Sequence, residues 1–250
     1  MIIKFKDITS KNKSETGGKG YNLGILFNSG FNVPDGFVIT ANSVINKSAE
    51  EEILHTFDML FPQADVLPQV AVRSSSVLED QQNFSAAGQY QSFIYVERNK
   101  LIQKIKECQN SYNNPTVKAY LGTDNPPHIA VVVQKMIKAE IFGVTFTENP
   151  LNNSAQELVV EAIFGDGELL VSGEKTPANY VLNKQNLNII AEVNPEYEAH
   201  KGAHMRETVK SAAPEFIKIQ VLFGRPMDIE WAYANKTLYI LQARPVTTIV

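Results

Sequence analysis

The sequence has little of the chemistry that marks secreted, membrane-bound or nucleic-acid-binding proteins. Its single cysteine, Cys108, excludes a disulfide within the chain and suits a reducing cytoplasmic compartment. Its apolar runs, such as Ile129 to Val133, are far shorter than the about 20 residues of a membrane-spanning helix, so no membrane segment is predicted. The 23 lysines and arginines are scattered over a chain of net charge -4, which argues against a nucleic-acid partner.

What is present suits a globular protein that contains both helices and strands. A chain of 250 residues with 44% apolar content can bury one substantial core or two small ones. Helical spacing of apolar residues predicts a short helix after Gly20 and helices in 50–60, 100–112 and within 206–223. Strands are predicted at 37–40, 70–73, 92–96, 129–136, 143–147, 157–162, 178–182, 187–192, 228–233 and 237–242. This irregular order favours the α+β class over a doubly wound parallel sheet.

A glycine-rich segment near the start places a cation on a backbone that can turn tightly. Gly17, Gly18, Lys19 and Gly20 lack the spacing of a Walker-type loop. Glycine amides and a lysine together suit phosphate, because no side chain keeps an anion away from the backbone. A glycine-lysine segment is also common in ordinary turns, so this pattern alone leaves both interpretations open.

Arg73 ends an apolar strand and is followed by three serines. A guanidinium group in this position can bind a polyphosphate through paired hydrogen bonds. The alternative is an ion pair with Glu79 or Asp80, which follow in the chain. The sequence supports both hypotheses equally.

The strongest local pattern is a predicted hairpin at the end of the chain. Asp228 and Glu230 share one face of a strand, and pairing can bring Gln242 beside them with Arg244 just beyond. Carboxylate and amide oxygens are suitable magnesium ligands, and arginine can neutralise a transferring phosphoryl group. The alternative is a solvated face with an exposed salt bridge, but the apolar residues of both strands favour a buried hairpin.

Eight motifs, spread from Gly17 to Thr248, resemble those of one family in the same order. The family is the nucleotide-binding domain of phosphoenolpyruvate synthases, pyruvate phosphate dikinases and rifampin phosphotransferases. The motifs read GGKGYNL, NVPDGFVIT, VRSSSVLEDQQNFSAAGQYQSF, VVVQKM, GVTFTENP, FGDGELLVSGE, PMDIEW and ILQARPVTT.

The resemblance implies an ATP-grasp fold of class α+β, in which two lobes hold ATP in the cleft between them. Residues 1–70 would form a shortened first part of the N-terminal lobe, 71–133 its remainder, and 134–250 the C-terminal lobe. The matching motifs imply these roles: catalytic contacts with the phosphates for Lys19, Arg73 and Arg244; a loop over the phosphates for Gly88; the adenine pocket for Gln134, Lys135, Met136 and Ile137; and magnesium binding for Asp228, Glu230 and Gln242.

The implied activity is ATP- and magnesium-dependent transfer of a phosphoryl or pyrophosphoryl group. The acceptor would be a histidine on a separate partner protein or a small molecule, because the family's phosphohistidine motif is absent from this sequence. In this sequence, residues 41–72 separate the strand that ends at Thr40 from Arg73, and members of the family usually have more residues in this region. This shortened region motivates an alternative, a nucleotide-binding module that regulates or scaffolds a partner without catalysis. A third possibility is a fragment of a longer enzyme.

Overall fold

The computed structural model describes residues 1–62, 68–76, 91–111, 129–165, 167–195 and 199–246. The chain divides into two units, Met1–Met136 and Ile137–Val250. Each unit contains one sheet of antiparallel strands together with helices. The predicted α+β class is therefore confirmed, and the strands predicted from Val70 onward are present with bounds that differ by a few residues.

The first unit is built on a five-stranded sheet. Its strands are β1 (Ile2–Lys4), β2 (Gly36–Ile39), β3 (Gln69–Ser75), β4 (Ser92–Glu97) and β5 (Ala130–Lys135). Their order across the sheet is β1-β2-β5-β3-β4, and each neighbouring pair is antiparallel. The sheet thus joins segments that are distant in sequence, with β5 between β2 and β3.

One face of this sheet carries the core of the unit. Helices α2 (Lys47–Leu60) and α3 (Leu101–Asn110) supply Phe57 and Ile105, which pack with the buried strand residues Val72 and Val133. The side chain of Asn46 caps α2 by accepting a hydrogen bond from the Ala49 amide at 3.0 Å. Because side chains alternate between the two faces along each strand, the residues next to these valines in β3 and β5 lie on the opposite face.

That opposite face is covered by helix α1 (Lys13–Asn28), which is broken near its start. Gly17 has φ 67° and ψ 176°, so the helix stops at Thr16 and resumes at Gly18. The predicted glycine-rich loop is therefore a kink within α1. Short 3-10 turns at Phe5–Asp7, Ser10–Asn12 and Arg98–Lys100 complete the described helical elements of this unit.

The second unit is built on a six-stranded sheet. Its strands are β6 (Ile141–Phe146), β7 (Glu157–Phe164), β8 (Ala178–Asn183), β9 (Ile189–Val193), β10 (Met227–Ala234) and β11 (Thr237–Pro245). Their order is β11-β10-β6-β7-β8-β9, with antiparallel neighbours throughout. A short helix, Glu168–Val171, follows β7, and a long helix, Ala199–Phe223, precedes β10.

The long helix packs on one face of the second sheet. Its Phe216 ring lies 5.6 Å from the fully buried Trp231 of β10, measured between ring centroids. The indole N–H of Trp231 donates to the Thr145 hydroxyl at 2.9 Å, which satisfies the polar atom of this core residue. Asp228 and Glu230 alternate with the core residues of β10 and so lie on the face that the long helix does not cover.

The helices of the described ranges lack the features of a bilayer-spanning segment. None of them combines the length and the apolar character that a bilayer-spanning segment needs.

Candidate functional site

In the first unit, Lys19 lies at the start of the second part of α1, directly after the kink. The Gly18 amide donates to the Ser76 carbonyl at 3.0 Å, and the Gly20 amide donates to the Ser75 hydroxyl at 3.0 Å. The backbone amides of Gly18 and Gly20, which the sequence suggested as donors to an anion, therefore donate to oxygens of the protein. The candidate phosphate-binding group of this segment is the Lys19 side chain, which is only partly buried.

The end of β3 holds this helix start in place. The Ser75 hydroxyl, besides accepting from Gly20, donates to the Thr16 carbonyl at 2.8 Å, so it bridges the two sides of the kink. A Cβ atom at Gly17 would lie 2.2 Å from the Ser75 carbonyl oxygen. Only glycine combines this close approach with a positive φ, which explains the glycine at this position.

Arg73 and Gln134 share the sheet face on which α1 packs. Arg73 pairs with Val132 of β5, and Gln134 pairs with Ala71 of β3, two residues before Arg73. Ser75 is on the same face by the same alternation, and its contacts with α1 identify that face. The structure thus brings Arg73, Gln134 and α1 together. Three other sequence candidates, Glu79, Asp80 and Gly88, lie outside the described residues.

Gln134 carries a buried polar atom that a ligand would satisfy. Its side chain is 2% exposed, and its Nε2 atom has no hydrogen-bond partner among the described residues. A buried amide donor of this kind costs free energy unless it finds an acceptor. An adenine ring offers such acceptors, so Gln134 fits the predicted nucleotide pocket.

The other residues predicted for the adenine pocket follow Gln134 in the chain. The Lys135 amide donates to the Asp35 carbonyl at 2.9 Å, and the Met136 amide donates to the Gln69 carbonyl at 3.0 Å. Ile137 is the first residue of the second unit. The backbone of 135 and 136 is therefore fixed by the first unit, while the Lys135 side chain is exposed.

In the second unit, hairpin pairing aligns the four candidate residues in two rows. Glu230 lies directly opposite Gln242, and Asp228 lies directly opposite Arg244. Opposed residues of antiparallel strands point to the same face, and residues two apart along a strand do so as well. All four side chains therefore share one face of the sheet, which is the arrangement that the sequence predicted.

Two of the four side chains on this face are buried. Asp228 and Gln242 are 7% and 4% exposed. The Arg244 Nε donates to Asp228 Oδ2 at 2.8 Å, and its Nη2 lies 2.8 Å from the same oxygen. Burial raises the pKa of the Asp228 carboxyl above its ordinary value, and the Arg244 guanidinium offsets part of that rise. The nearby Glu230 carboxylate raises the pKa further.

Glu161 is a residue on this face that the sequence interpretation missed. It lies opposite Val144 of β6, and Val144 lies opposite Glu230 of β10, so Glu161 continues the row that contains Gln242. Burial raises the pKa of Glu161, and the Asp228 carboxylate raises it further. The available signal was an acid in the middle of an apolar strand, but placing it beside Glu230 required the strand order of the sheet.

Glu230 and Gln242 are the residues of this face best suited to a divalent cation. Across the described ranges, no group of three or more histidine, cysteine or acidic side chains is close enough to bind a metal. A carboxylate and an amide oxygen from directly opposed residues still match the hard oxygen ligands of magnesium. Magnesium in nucleotide sites takes its remaining ligands from phosphates and water, so two protein ligands are sufficient.

Comparison with known proteins gives one family and a set of much longer relatives. Residues 42–250 match the family described as "Pyruvate phosphate dikinase, AMP/ATP-binding domain". The chain is 31% identical to the "Uncharacterized phosphotransferase YvkC" of Bacillus subtilis, over 93% of this chain and 33% of that protein. It is 30% identical to a "Probable phosphoenolpyruvate synthase" of Methanocaldococcus jannaschii, over 100% and 27%, and 29% identical to the "Rifampicin phosphotransferase" of Bacillus cereus, over 100% and 36%.

A solved structure agrees with the fold over nearly the whole chain. PH1788 from Pyrococcus horikoshii superposes with a TM-score of 0.50 at 12% identity and covers 94% of this chain and 92% of its own. At this identity the likeness concerns the fold alone. The chain spans about a third of the length of the curated relatives named above.

Proposed function

The chain belongs to the family of pyruvate phosphate dikinase AMP/ATP-binding domains, whose fold is ATP-grasp, and from this premise we propose that it is an ATP- and magnesium-dependent phosphotransferase. The family match supports nucleotide binding, and the names of its relatives support phosphotransfer in general. Magnesium, the roles of individual residues and the acceptor are part of the proposal.

The observation that carries the proposal is the pairing register of β10 and β11. It places a carboxylate, Glu230, opposite an amide, Gln242, and beside them an arginine, Arg244. A carboxylate and an amide that suit magnesium, with a guanidinium group on the same sheet face, are groups that phosphoryl-transfer sites use. In this proposal Glu230 and Gln242 hold the ion, and Arg244 stabilises charge on the transferring phosphoryl group. A bound magnesium ion would neutralise phosphate charge there.

The first unit would bind the nucleotide itself. Lys19 and Arg73 supply positive charge for the phosphates, and the buried Gln134 amide supplies a donor for the base. Lys135, Met136 and Ile137 would line the adenine pocket beside it. The role of Gly88 over the phosphates stays a prediction, because this residue lies outside the described ranges.

The proposal includes two kinds of phosphoryl acceptor. The phosphoryl or pyrophosphoryl group would pass to a histidine on a partner protein or to a small molecule. One relative is named for phosphotransfer to the drug rifampicin and another for the synthesis of phosphoenolpyruvate, which supports more than one kind of acceptor within the family. Phosphorus NMR of the nucleotide after incubation distinguishes the two stoichiometries. Transfer of two phosphoryl groups from ATP leaves AMP, and transfer of one leaves ADP.

The test is ATP turnover by the purified protein with and without magnesium. The double variant Glu230→Ala and Gln242→Ala should lose turnover by about 100-fold or more, since it removes both cation ligands. Circular dichroism should remain that of the wild type, because the substitutions truncate side chains without changing the strands. The matched control is Glu174→Ala with Gln185→Ala, an exposed acid and amide in the same unit, which should keep full turnover.

The outcomes separate the proposal from its alternative. Turnover that survives in the Glu230 and Gln242 double variant would count decisively against the assignment. Magnesium-dependent ATP binding by the wild-type protein without turnover, even with candidate acceptors present, would instead support the non-catalytic regulatory module. Calorimetric titration of ATP in the presence and absence of magnesium measures that binding directly.

A further inference from the structure

Asp228 forms an ion pair that is built into the strand register. Both its position opposite Arg244 and the two 2.8 Å contacts with Oδ2 place the guanidinium group against the carboxylate. The Asp228 side chain is 9% exposed, whereas the Arg244 side chain is 42% exposed. The carboxylate is therefore the buried, fixed partner, and the guanidinium extends from it toward the surface.

Asp228 contacts one edge of the Arg244 guanidinium group. Nε and Nη2 face Asp228 Oδ2, and Nη1 lies on the other side of the planar fork. Arginine anchored along one edge keeps a fixed orientation, which is the condition for recognising a phosphate with its other N–H groups. Without an anchor, the long side chain would lose rotamer freedom on binding, at a cost in free energy.

Asp228 is less suited than Glu230 to bind a cation. Its Oδ2 atom already accepts from a positively charged group, and a magnesium ion on the same oxygen would be repelled by that group. A buried carboxylate needs a cation nearby, and Arg244 supplies it. Glu230 lies two residues further along β10, about 7 Å away along the strand, and has the amide of Gln242 opposite it.

We propose that Asp228 is a positioning residue, whose carboxylate holds the Arg244 guanidinium beside Glu230 and Gln242 and does not bind magnesium. This inference rests on the proposed function of the same face. It changes the role that the sequence suggested for Asp228, and it assigns the orientation of Arg244 to a cross-strand contact.

A double-mutant cycle with a magnesium titration tests the assignment. Asp228→Asn, Arg244→Ala and the double variant are compared for kcat, for KM of ATP and for the magnesium concentration at half-maximal rate. We expect Asp228→Asn to lower kcat about 10- to 100-fold, the usual range for a residue that supports a functional group. Half-saturating magnesium should stay within about twofold of wild type, and Asp228→Asn should have no further effect on Arg244→Ala.

The opposite pattern would overturn the inference. If Asp228 binds magnesium, Asp228→Asn should raise the half-saturating magnesium concentration about tenfold or more, and its effect should persist in the Arg244→Ala background. The control is the exposed ion pair between Glu192 and Arg206 of the same unit. Glu192→Gln should leave kcat and the magnesium titration unchanged.

A readout without turnover keeps this inference distinct from the proposed function. The Nε–H proton of Arg244, followed through its ¹H–¹⁵N resonance, should exchange slowly with solvent in the wild type. This exchange should accelerate in Asp228→Asn. Addition of magnesium and ATP should shift the same resonance. A wild-type protein without ATP turnover would contradict the proposed function alone, whereas an Nε resonance that is insensitive to Asp228→Asn would contradict the positioning role.

Discussion

The two regions that carry the candidate residues are held in place by different kinds of contact. In the second unit, Asp228 and Arg244 are 16 positions apart and meet through the pairing of one hairpin. In the first unit, Lys19 is presented by a helix start that is held by Ser75, whose partners Gly20 and Thr16 are 55 and 59 positions away. One region depends on a local register, and the other depends on a long-range fit.

The two regions differ in their sensitivity to substitution. A hairpin register is reinforced by every pair along two long strands, so a single substitution changes one side chain and leaves the alignment in place. The kink at Gly17 depends on one close backbone approach and one buried hydroxyl. We therefore expect single substitutions to disturb the first region more than the second.

The largest expected effect comes from Gly17→Ala. The added methyl group would lie 2.2 Å from the Ser75 carbonyl oxygen, and the residue would keep a φ of +67°. Backbone must move to relieve this clash, so we expect a loss of about 4 kcal/mol or more in the free energy of unfolding. Urea unfolding followed by far-ultraviolet circular dichroism measures the loss.

Gly30→Ala is the matched control for this substitution. Gly30 also has a positive φ, +85°, but a Cβ atom there would meet nothing within 4 Å. Its cost should be that of the left-handed conformation alone, about 1 kcal/mol. Equal losses for the two variants would mean that the contact with Ser75 contributes nothing, and the contrast between the two regions would fail.

The sequence predicted the hairpin site correctly because its information is local. Alternation along β10 places Asp228 and Glu230 on one face, and the short connection through Asn235 and Lys236 makes β11 the antiparallel partner of β10. Counted from the turn, Glu230 would lie opposite Leu241, and the bulge between Trp231 and Glu230 shifts the pairing by one residue so that Gln242 lies opposite Glu230. Alternation and a tight turn predict which two segments pair, and the bulge completes the alignment of Gln242 and Arg244 with the two acids.

The remaining features could not be predicted because they depend on contacts between distant segments. The glycine-rich segment resembles a loop in sequence, and only the oxygens of Ser75 and Ser76 explain how it continues as a helix. Glu161 joins the hairpin face through β6, whose position between β7 and β10 requires the sheet order. The unpartnered Gln134 amide likewise becomes visible only once the first sheet is assembled.

A smaller effect is expected from Ser75→Ala, which tests the hydrogen bonds of the kink without adding volume. The substitution removes the acceptor of the Gly20 amide and the donor to the Thr16 carbonyl, both buried. Leaving these groups unsatisfied should cost about 2 kcal/mol of unfolding free energy. Ser14→Ala, at an exposed position of the same helix, should change stability by less than about 0.5 kcal/mol. A similar small change for Ser75→Ala would show that water replaces its hydrogen bonds.

The smallest effect has the opposite sign and belongs to the hairpin. Asn235 and Lys236 form its two-residue turn with φ values of 49° and 60°. Lysine is strained in this left-handed conformation, whereas glycine adopts it readily. Lys236→Gly should therefore stabilise the second unit by about 1 kcal/mol. The fluorescence of Trp231, the single tryptophan, reports the unfolding of this unit.

Asn235→Gly separates relief of strain from a general benefit of glycine in the turn. Asparagine tolerates the left-handed conformation better than lysine, so this substitution should gain less than Lys236→Gly. The backbone amide of 235 donates to the Glu140 carboxylate at 2.9 Å, and glycine keeps that donor. If Lys236→Gly destabilised the unit, the lysine side chain would have to contribute more than its backbone strain costs. The turn would then depend on tertiary contacts, as the kink at Gly17 does, and the hairpin would no longer be the locally determined region.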